Sequence, residues 1–422
     1  MFASPLESSG SHADRGAGAE LRGVRRLTIA LTPGVMLASM AGGIAFPILP
    51  SVGLRVGLPL ALIGLILAAN RATRVLVSPV VGILADRFGG RRTMLVGLVL
   101  QVLVMVLFVL GVRTTHPGIF FLAGRVVHGF GSSCVFVAAQ ALALHGGGER
   151  HGGRATGAVR AAMQLGVPVG LVVGGFLSDL WSETATFEAG AVALLLAAGA
   201  AYALVPDLRT ATPRSSLRTA LRSFADRRLG AIGALSFASA FAGTGMVLTM
   251  TTLLVHARHL TIQSLPERAT ASVLMGWLVL AEALAMPPLG RLGDRRDLHA
   301  PIAATGLLLT VPGLVTIAYA ETSVGVAVGL GIVGLGVACL GPSLLALLGR
   351  LVPPERRGLG VGALQVSADI GGSLGPLVGS VLFGGAIATP YLFTAAVNAL
   401  LLPIALWLVR ASRRAAPAPL PE

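Results

Sequence analysis

The sequence predicts an all-α polytopic membrane protein whose twelve transmembrane helices form two pseudo-symmetric six-helix bundles. First, the chain of 422 residues is 54% hydrophobic and only 12% charged, whereas about 25% of the residues of a soluble domain are charged. Second, apolar stretches of roughly 20 residues recur along the whole chain, each long enough to cross about 30 Å of hydrocarbon as a helix. Third, the second half of the chain repeats landmarks of the first half.

The apolar stretches place the spans. They predict helices at about 27–46, 58–85, 93–112, 119–142, 155–178, 187–206, 229–255, 270–290, 300–319, 324–349, 358–383 and 389–409. The same division predicts five parts: a disordered cytoplasmic tail (1–26), a first bundle (27–206), a cytoplasmic central loop (207–228), a second bundle (229–410) and a cytoplasmic C-terminal tail (411–422). An even number of spans puts both termini on one side of the membrane.

The arginines predict the orientation. All 32 basic residues are arginines; with the N-terminus inside, 24 lie in inner segments, four in outer loops and four within spans. Because basic residues concentrate in short cytoplasmic loops, both termini are expected in the cytoplasm. The protein itself is expected in the plasma (bacterial inner) membrane. For the same reason, the net charge of +14 does not indicate a nucleic-acid partner. The central loop is predicted either as an amphipathic surface helix or as a solvated linker.

The two halves align as repeats. Residues 74–87 align without gaps to residues 282–295, so that Pro79 matches Pro287 and Asp86 matches Asp294. Further along, a second set of small residues recurs 205 positions later: Gly124, Gly129, Gly131, Cys134, Gly166, Gly170 and Gly174 match Gly329, Gly334, Gly336, Cys339, Gly371, Gly375 and Gly379. A six-helix unit followed by a second copy is a transporter architecture, with the substrate site near the midplane between the halves.

The motif GILADRFGGRR carries a family resemblance. It has the spacing of the loop between helices 2 and 3 in the major facilitator superfamily of secondary transporters, and its matching residues are Gly82, Asp86, Arg87, Gly89, Arg91 and Arg92. The chain resembles this family over nearly its whole length. The resemblance implies that Asp86 and its arginines form a cytoplasmic charge-relay latch that steadies the outward-open state. In the second copy Asp294 and Arg295 match, but Asp297 replaces the glycine, so a weaker latch is expected.

Two further motifs resemble those of proton-coupled exporters in this family. The stretch RVVHGFGSS, residues 125–133, resembles a helix-4 motif that the family associates with proton coupling, and it places Arg125 and His128 one turn apart. Leu330 occupies the position of Arg125 in the second half, which favours a functional role for this arginine. GVPVGLVVGG (166–175) and PILP (47–50) resemble exporter motifs, although such glycines are also the ordinary means by which membrane helices pack.

Polar residues inside the predicted spans indicate the site. An arginine at a helix centre in hydrocarbon costs about 2.5–3.5 kcal/mol on insertion scales, so Arg71 and Arg74 must face protein or water. Repeat alignment puts Glu282 at the depth of Arg74, in the opposite half. The candidates for substrate binding and proton coupling are Asn70, Arg71, Arg74, Arg125, His128, Arg160, Gln164, Glu282, Gln365 and Asp369.

Three roles for Arg71 and Arg74 stay open and can overlap. In the first, they bind an anionic or oxygen-rich substrate through their guanidinium groups. In the second, they are structural ion-pair partners that lock helix 2 against its neighbours. In the third, they set the protonation equilibrium of Glu282 or Asp369, the carboxyls placed in apolar spans.

These observations predict a proton-coupled exporter of a small organic compound (a drug, a metabolite or a siderophore-like molecule) that works by alternating access. Glu282 and Asp369 are the expected proton carriers, and no enzymatic activity, resident cofactor or metal is expected; His145, Glu149 and His151 lie in a glycine-rich loop that fixes no metal geometry. The expected partners are the substrate, protons and the lipid bilayer, and the chain is expected to be a monomer. The alternatives are an anion importer or lipid-linked flippase of the same fold, or a non-transporting membrane sensor or scaffold.

Overall fold

A computed structural model of the chain describes the backbone of residues 9–206, 226–351 and 357–415. The side chains of residues 9–22, 24, 86, 145–154, 296, 357–359 and 413–415 lie outside the described part. The helices are Ser9–Arg55, Leu60–Phe88, Gly90–Arg113, Pro117–Leu180, Glu183–Leu204, Arg227–Ala240, Leu248–Ala257, Glu267–Arg296, His299–Tyr319, Ser323–Leu351, Arg357–Phe383 and Thr389–Ala415, and a π-helical segment, Phe241–Val247, joins the sixth of them to the seventh.

Twelve segments of the described chain are long and apolar enough to cross a membrane, which confirms the predicted fold class. We number them as spans 1 to 12: Arg25–Arg55, Leu60–Ala85, Gly90–Arg113, Pro117–Leu144, Ala155–Leu180, Glu183–Leu204, Arg227–Ala257, Glu267–Arg295, His299–Tyr319, Ser323–Leu351, Gly360–Phe383 and Thr389–Ser412. Spans 1–6 are the N-terminal half and spans 7–12 the C-terminal half. The membrane face at which span 1 begins and span 12 ends is called the terminal face, and the other is called the opposite face.

Two helices extend beyond the predicted spans. The first helix begins at Ser9, so its backbone includes residues 9–26, which the sequence predicted as a disordered tail; no proline lies between Ser9 and Pro33. Helical backbone continues from span 4 into span 5, over Pro117–Leu180. Both spans nevertheless contact span 1, through His128 at Gly42 and Val167 at Gly43. The chain therefore turns back between them, in a connection that is rich in glycine. The central loop, 207–225, lies outside the described residues.

The sequence repeat reappears as a repeat of close helix contacts. In the N-terminal half, span 3 meets span 4 where Gly97 packs against the Gly131 carbonyl and Cys134. In the C-terminal half, span 9 meets span 10 where Gly306 packs against the Gly336 carbonyl and Cys339. A Cβ on either Gly97 or Gly306 would overlap atoms of the neighbouring helix. The two cysteines and the glycines that contact them therefore lie where paired helices pack closely.

Gly166, Gly170 and Gly174 of span 5 pack against span 1. A side chain at Gly166 would collide with the carbonyl of Met36, and one at Gly170 with the carbonyl of Met40. The matching glycines of span 11 pack in the same way on span 7, where Gly375 lies against Gly245 in the π-helical segment. Close helix packing therefore accounts for the glycines of the stretch that resembles an exporter motif.

Large apolar side chains cover the outside of the bundle. Leu196 in span 6 and Leu400 in span 12, for example, are 70% and 76% exposed. A continuous apolar surface of this kind would be a liability in water but suits contact with lipid chains. The polar groups that the sequence predicted to avoid lipid lie inside, between the two halves.

Candidate functional site

A cavity of about 390 Å³ lies between the two halves. It is lined by spans 1, 2, 4 and 5 on one side and by spans 7, 8, 10 and 11 on the other. The lining reaches Arg160 and Val361, near the ends of spans 5 and 11 at the terminal face, and Arg160 and Gln365 are exposed. The cavity is therefore open toward the terminal face. Its size is in the range of small-molecule sites.

The N-terminal half contributes a polar wall that carries every arginine of the lining. We call this surface the basic wall: Ser39, Asn70, Arg71, Arg74, Arg125, His128, Ser132, Arg160 and Gln164. Two aromatic rings lie against it, because the guanidinium carbon of Arg74 is 5.8 Å from the ring centre of Phe136 and that of Arg125 is 5.3 Å from Phe46. Contacts of this kind between a guanidinium group and a ring are attractive and hold its plane in place.

Asp369 joins the basic wall to the C-terminal half. Its Oδ2 accepts a hydrogen bond from Arg74 Nη2 at 3.3 Å, and its Oδ1 lies 3.6 Å from Arg71 Nη1. The Asp369 side chain is 5% exposed, and those of Arg71 and Arg74 are 21% and 15% exposed. One nearly buried carboxylate on span 11 is thus shared by two arginines on span 2, which leaves one formal positive charge in the cluster.

Gly372 gives Arg71 its place against span 11. A Cβ at this position would lie 2.6 Å from Arg71 Cδ, well inside van der Waals contact. Span 11 therefore presents a flat surface one turn from Asp369, on which the arginine side chain rests.

Among the described residues Arg125 is the most completely buried arginine, and it bonds to backbone. Its Nε and Nη2 donate to the carbonyls of Ile66 and Leu67 in span 2, at 3.3 and 3.0 Å. It is 2% exposed, and among the described residues it forms no ion pair. In this geometry Arg125 ties span 4 to span 2, just above the turn that carries Asn70 and Arg71.

The C-terminal half lines the cavity mainly with aliphatic side chains, and its polar lining residues are Ser236, Ser239, Thr244, Glu282 and Gln365. We call the aliphatic part of this surface the aliphatic wall: Leu248, Val279, Val337, Leu344, Leu345, Val361 and Leu364. Glu282 of span 8 also lines this side of the cavity. Within the described part of the chain its side chain has neither an ion pair nor a hydrogen bond, in contrast to Asp369.

Several buried polar atoms of the basic wall have no protein partner among the described residues. They are Ser39 Oγ, Asn70 Nδ2 and His128 Nδ1, on side chains that are 3%, 9% and 4% exposed. Buried polar atoms are normally hydrogen-bonded. Groups left over on a cavity wall are therefore suited to bind a molecule inside the cavity.

The predicted site residues converge. Nine of the ten line the cavity, and the tenth, Asp369, bonds to two of the nine. Of the three roles considered for Arg71 and Arg74, the observed contacts correspond to the ion-pair role, because both arginines contact Asp369 across the interface between the halves. The side chains of His145, Glu149 and His151 lie outside the described part.

A second charged cluster, which the sequence did not indicate, closes the opposite face. Arg268 of span 8 donates to Glu183 Oε1 at 2.9 Å and lies 3.3 Å from Asp179 Oδ1. Arg268 also bonds to the hydroxyl groups of Ser51 and Ser178, at 3.0 and 3.3 Å. All four partners belong to the N-terminal half. We call this set of residues the outer clasp. These residues are charged or polar groups at span ends, which in the sequence cannot be distinguished from solvated loop residues.

The residues predicted to form a latch lie where span 2 joins span 3 and where span 8 joins span 9, at the terminal face. Gly89 connects spans 2 and 3 with φ at 91°, a backbone conformation that favours glycine. Arg91 donates to the carbonyl of Tyr202 and stacks on its ring, within the N-terminal half. The side chain of Asp86 lies outside the described part.

The second copy of the motif, between spans 8 and 9, also turns at a residue with positive φ, but this residue is an aspartate instead of a glycine. Asp297 adopts a left-handed conformation with φ at 53° and forms an ion pair with Arg350. Aspartate tolerates this conformation better than most residues. Asp294 accepts from His299 at 3.0 Å when that ring nitrogen is protonated, while Arg295 is exposed.

Comparison with known proteins agrees with this architecture. Residues 31–276 and 235–422 each match the Major Facilitator Superfamily profile. Multidrug resistance protein 2 of Bacillus subtilis (strain 168) is 23% identical over 381 residues, which cover 87% of this chain and 92% of that protein. The multidrug resistance protein B homolog of Mycobacterium tuberculosis (strain ATCC 25618 / H37Rv) is 28% identical over 368 residues, which cover 72% of this chain and 66% of that protein.

A solved structure has the same fold. It is a bacterial homolog of the human lysosomal transporter Spinster in an inward-facing, unoccupied conformation. The two structures superpose with a TM-score of 0.74 at 15% identity, over 94% of this chain and 99% of the other.

Proposed function

The chain belongs to the major facilitator superfamily, a family of transporters rather than enzymes, and we propose that it exports a small organic compound in exchange for protons by alternating access. The single observation that carries the proposal is the contrast between two carboxyls at one cavity. Asp369 is held by Arg71 and Arg74, whereas Glu282 faces the cavity without a partner among the described residues. That two relatives are named multidrug resistance proteins supports the export of organic compounds.

Glu282 is the carboxyl that can take up a proton without breaking an ion pair. An ionised carboxylate in a largely apolar wall is costly unless it is paired or hydrogen-bonded. A cargo that donates a hydrogen bond to Glu282 and a proton that neutralises it would relieve the same cost. Cargo and proton then compete for Glu282, and competition for one group is the physical basis of exchange. Asp369 keeps its arginines and acts as the fixed link between spans 2 and 11.

The orientation follows from the distribution of the arginines. We assign the terminal face to the cytoplasm, because 24 of the 32 arginines lie in segments on that side. The cavity then opens to the cytoplasm, where an exporter loads its cargo. In this proposal the protein acts as a monomer in the plasma (bacterial inner) membrane. Beyond cargo, protons and lipid it needs no cofactor, because the proton gradient supplies the energy.

Proteoliposomes test exchange directly. Vesicles are given an acidic lumen, and uptake of a neutral, an anionic and a cationic fluorescent compound (coumarin, fluorescein and ethidium) is followed. Exchange predicts that at least one compound accumulates as protons leave, and that Glu282→Gln abolishes this gradient-driven accumulation. The matched control is Glu188→Gln, because Glu188 is a half-exposed carboxylate outside the cavity. The proposal is wrong if no compound accumulates, or if Glu282→Gln accumulates it at the wild-type rate.

The arginine pair favours a second candidate, an importer of anions. An anion that replaced Asp369 at Arg71 and Arg74 would leave a buried carboxylate without a partner, and that carboxylate would then bind a proton. Anion and proton would move together in the same direction. The same vesicles distinguish the two candidates, since an importer of this kind accumulates fluorescein when the outside, not the lumen, is acidic.

A further inference from the structure

The two walls of the cavity differ in chemistry, and from this division we infer that the cargo is an amphiphile with an oxygen-acceptor headgroup, bound in one orientation across the two halves. The inference rests on the proposed transport function and names the class of its cargo. The headgroup binds to the basic wall, and the apolar body packs on the aliphatic wall.

The basic wall is a surface of hydrogen-bond donors. All four arginines of the lining belong to it, and the only carboxylate that contacts them among the described residues is Asp369. The amide nitrogen of Asn70 and the hydroxyl group of Ser39 add donors without a protein partner in the described part. Carboxylate, phosphate and carbonyl oxygens are the acceptors that guanidinium and amide groups bind best.

The aliphatic wall itself carries no polar side chain, and the C-terminal half contributes no arginine to the lining. Of the polar residues beside this wall, Ser236 and Thr244 donate their hydroxyl groups to the backbone carbonyls of Leu364 and Ala240. Leu248, Val337 and Leu344 come from spans 7 and 10, and Leu364 comes from span 11. Leu345 is 42% exposed on this wall, so its side chain faces the cavity and can pack on a bound molecule. Because Leu248, Val337 and Leu344 are already nearly buried, an apolar body placed here removes hydrocarbon from water mainly on the ligand and on Leu345, at about 25 cal/mol per Å².

The division has a consequence for transport. A molecule that holds the N-terminal half with its headgroup and the C-terminal half with its body interacts with both halves at once. Its affinity therefore depends on how the halves are placed, and differential affinity between two arrangements is what lets a ligand shift a conformational equilibrium.

A matched ligand series tests the inference at equilibrium. Adamantane-1-carboxylate, adamantane-1-carboxamide and 1-adamantylamine share one compact apolar body and carry an anionic acceptor, a neutral acceptor and a cation; acetate has a headgroup without the body. Binding to the purified full chain in lipid nanodiscs is measured by calorimetry, with empty nanodiscs subtracted. We expect the carboxylate or the carboxamide to bind at least tenfold more tightly than the amine, and the carboxylate at least tenfold more tightly than acetate. A carboxylate that binds more tightly than the carboxamide identifies an anionic cargo, and the reverse order a neutral one.

Two variants assign the ends of the ligand. Arg74→Gln should weaken the binding of the preferred acceptor ligand by roughly tenfold, because one charge-assisted contact is lost. Arg113→Gln, which lies outside the cavity, should leave the binding of every ligand unchanged. Leu345→Ala should weaken every adamantane ligand about threefold to tenfold and leave acetate unchanged, while Leu196→Ala on the lipid side is its control.

Three results would overturn the inference: preferential binding of the amine, equal effects of Leu345→Ala and Leu196→Ala, or no binding of any compound to protein with an unchanged melting temperature. These measurements use no pH gradient, so a failure of proton coupling leaves them unaffected. An amphiphile that binds as expected but does not move with or against protons would refute the transport mechanism alone.

Discussion

The outer clasp should set the balance between the two access states. Arg268 makes two contacts with carboxylates, at 2.9 Å to Glu183 and 3.3 Å to Asp179, and their side chains are only 12–18% exposed. A charged hydrogen bond is worth about 1.5–3 kcal/mol when buried and less than about 1 kcal/mol when solvated. Glu183 also keeps Arg55 at 2.8 Å, which reduces the loss. We therefore expect Arg268→Gln to destabilise the closed opposite face by about 2–3 kcal/mol, or roughly 30- to 150-fold in the equilibrium constant.

A buried cysteine reports this shift. Ser272 is fully buried one turn from Arg268 and packs against Gly175 of the other half, so Ser272→Cys is exposed only when the opposite face opens. The native Cys134 and Cys339 are buried and are replaced by alanine. When opening is fast relative to labelling, the rate of reaction with a membrane-impermeant maleimide is proportional to the open population. Arg268→Gln should therefore raise this rate roughly 30- to 150-fold.

The control variant removes an ion pair that lies within one half, so its loss should not affect the opening of the opposite face. Arg113 contacts Glu188 at 2.8 Å, and both residues belong to the N-terminal half. Arg113→Gln should leave the labelling rate unchanged. The outer clasp does not hold the opposite face closed if Arg268→Gln is labelled at the rate of the parent protein, or if Arg113→Gln accelerates labelling to the same extent.

Three further predictions concern glycines. Gly372→Ala should push Arg71 away from span 11 and lower the transport rate about tenfold, as expected for one lost charge-assisted contact, with little change in melting temperature; an unchanged rate in the flux assay would contradict the placement of this arginine. Gly89→Ala should lower the free energy of unfolding by about 1–2 kcal/mol, because Gly89 has a positive φ. Its melting temperature should be lower than that of Gly82→Ala, where the added methyl group meets open space. Gly170→Leu should prevent close packing on span 1 and abolish the folded peak in size-exclusion chromatography; normal folding would show that the contact is dispensable.

Much of the site could be predicted because polar residues are conspicuous in apolar spans. Arg71 and Arg74 lie one turn apart, so helical periodicity alone places them on one face, and the cost of charge in lipid turns that face inward. The identity of their partner could not be predicted in this way. Repeat alignment placed Glu282 at the depth of Arg74 in the other half, yet the arginines pair with Asp369.

The reason is the packing between halves. Span 2 lies against span 11, where Gly64 contacts Pro376, while span 8 lies against span 5, where Ser272 contacts Gly175. The position of a residue along its helix can be read from the sequence. Which helix of the other half faces that residue depends on how the two bundles pack together. The outer clasp was missed for the same reason, since Arg268 and its partners are far apart in the chain.

The sequence by itself determined the number of spans, the repeat and the set of polar groups kept from lipid, because hydropathy and helical periodicity are local properties of the chain. Only the tertiary structure decided which groups meet. It assigned both arginines to Asp369, left Glu282 without a partner among the described residues, divided the cavity into a basic and an aliphatic wall, and closed the opposite face with Arg268. Ion pairs and cavity walls between two bundles are non-local contacts, and their energies depend on distances that no local pattern specifies.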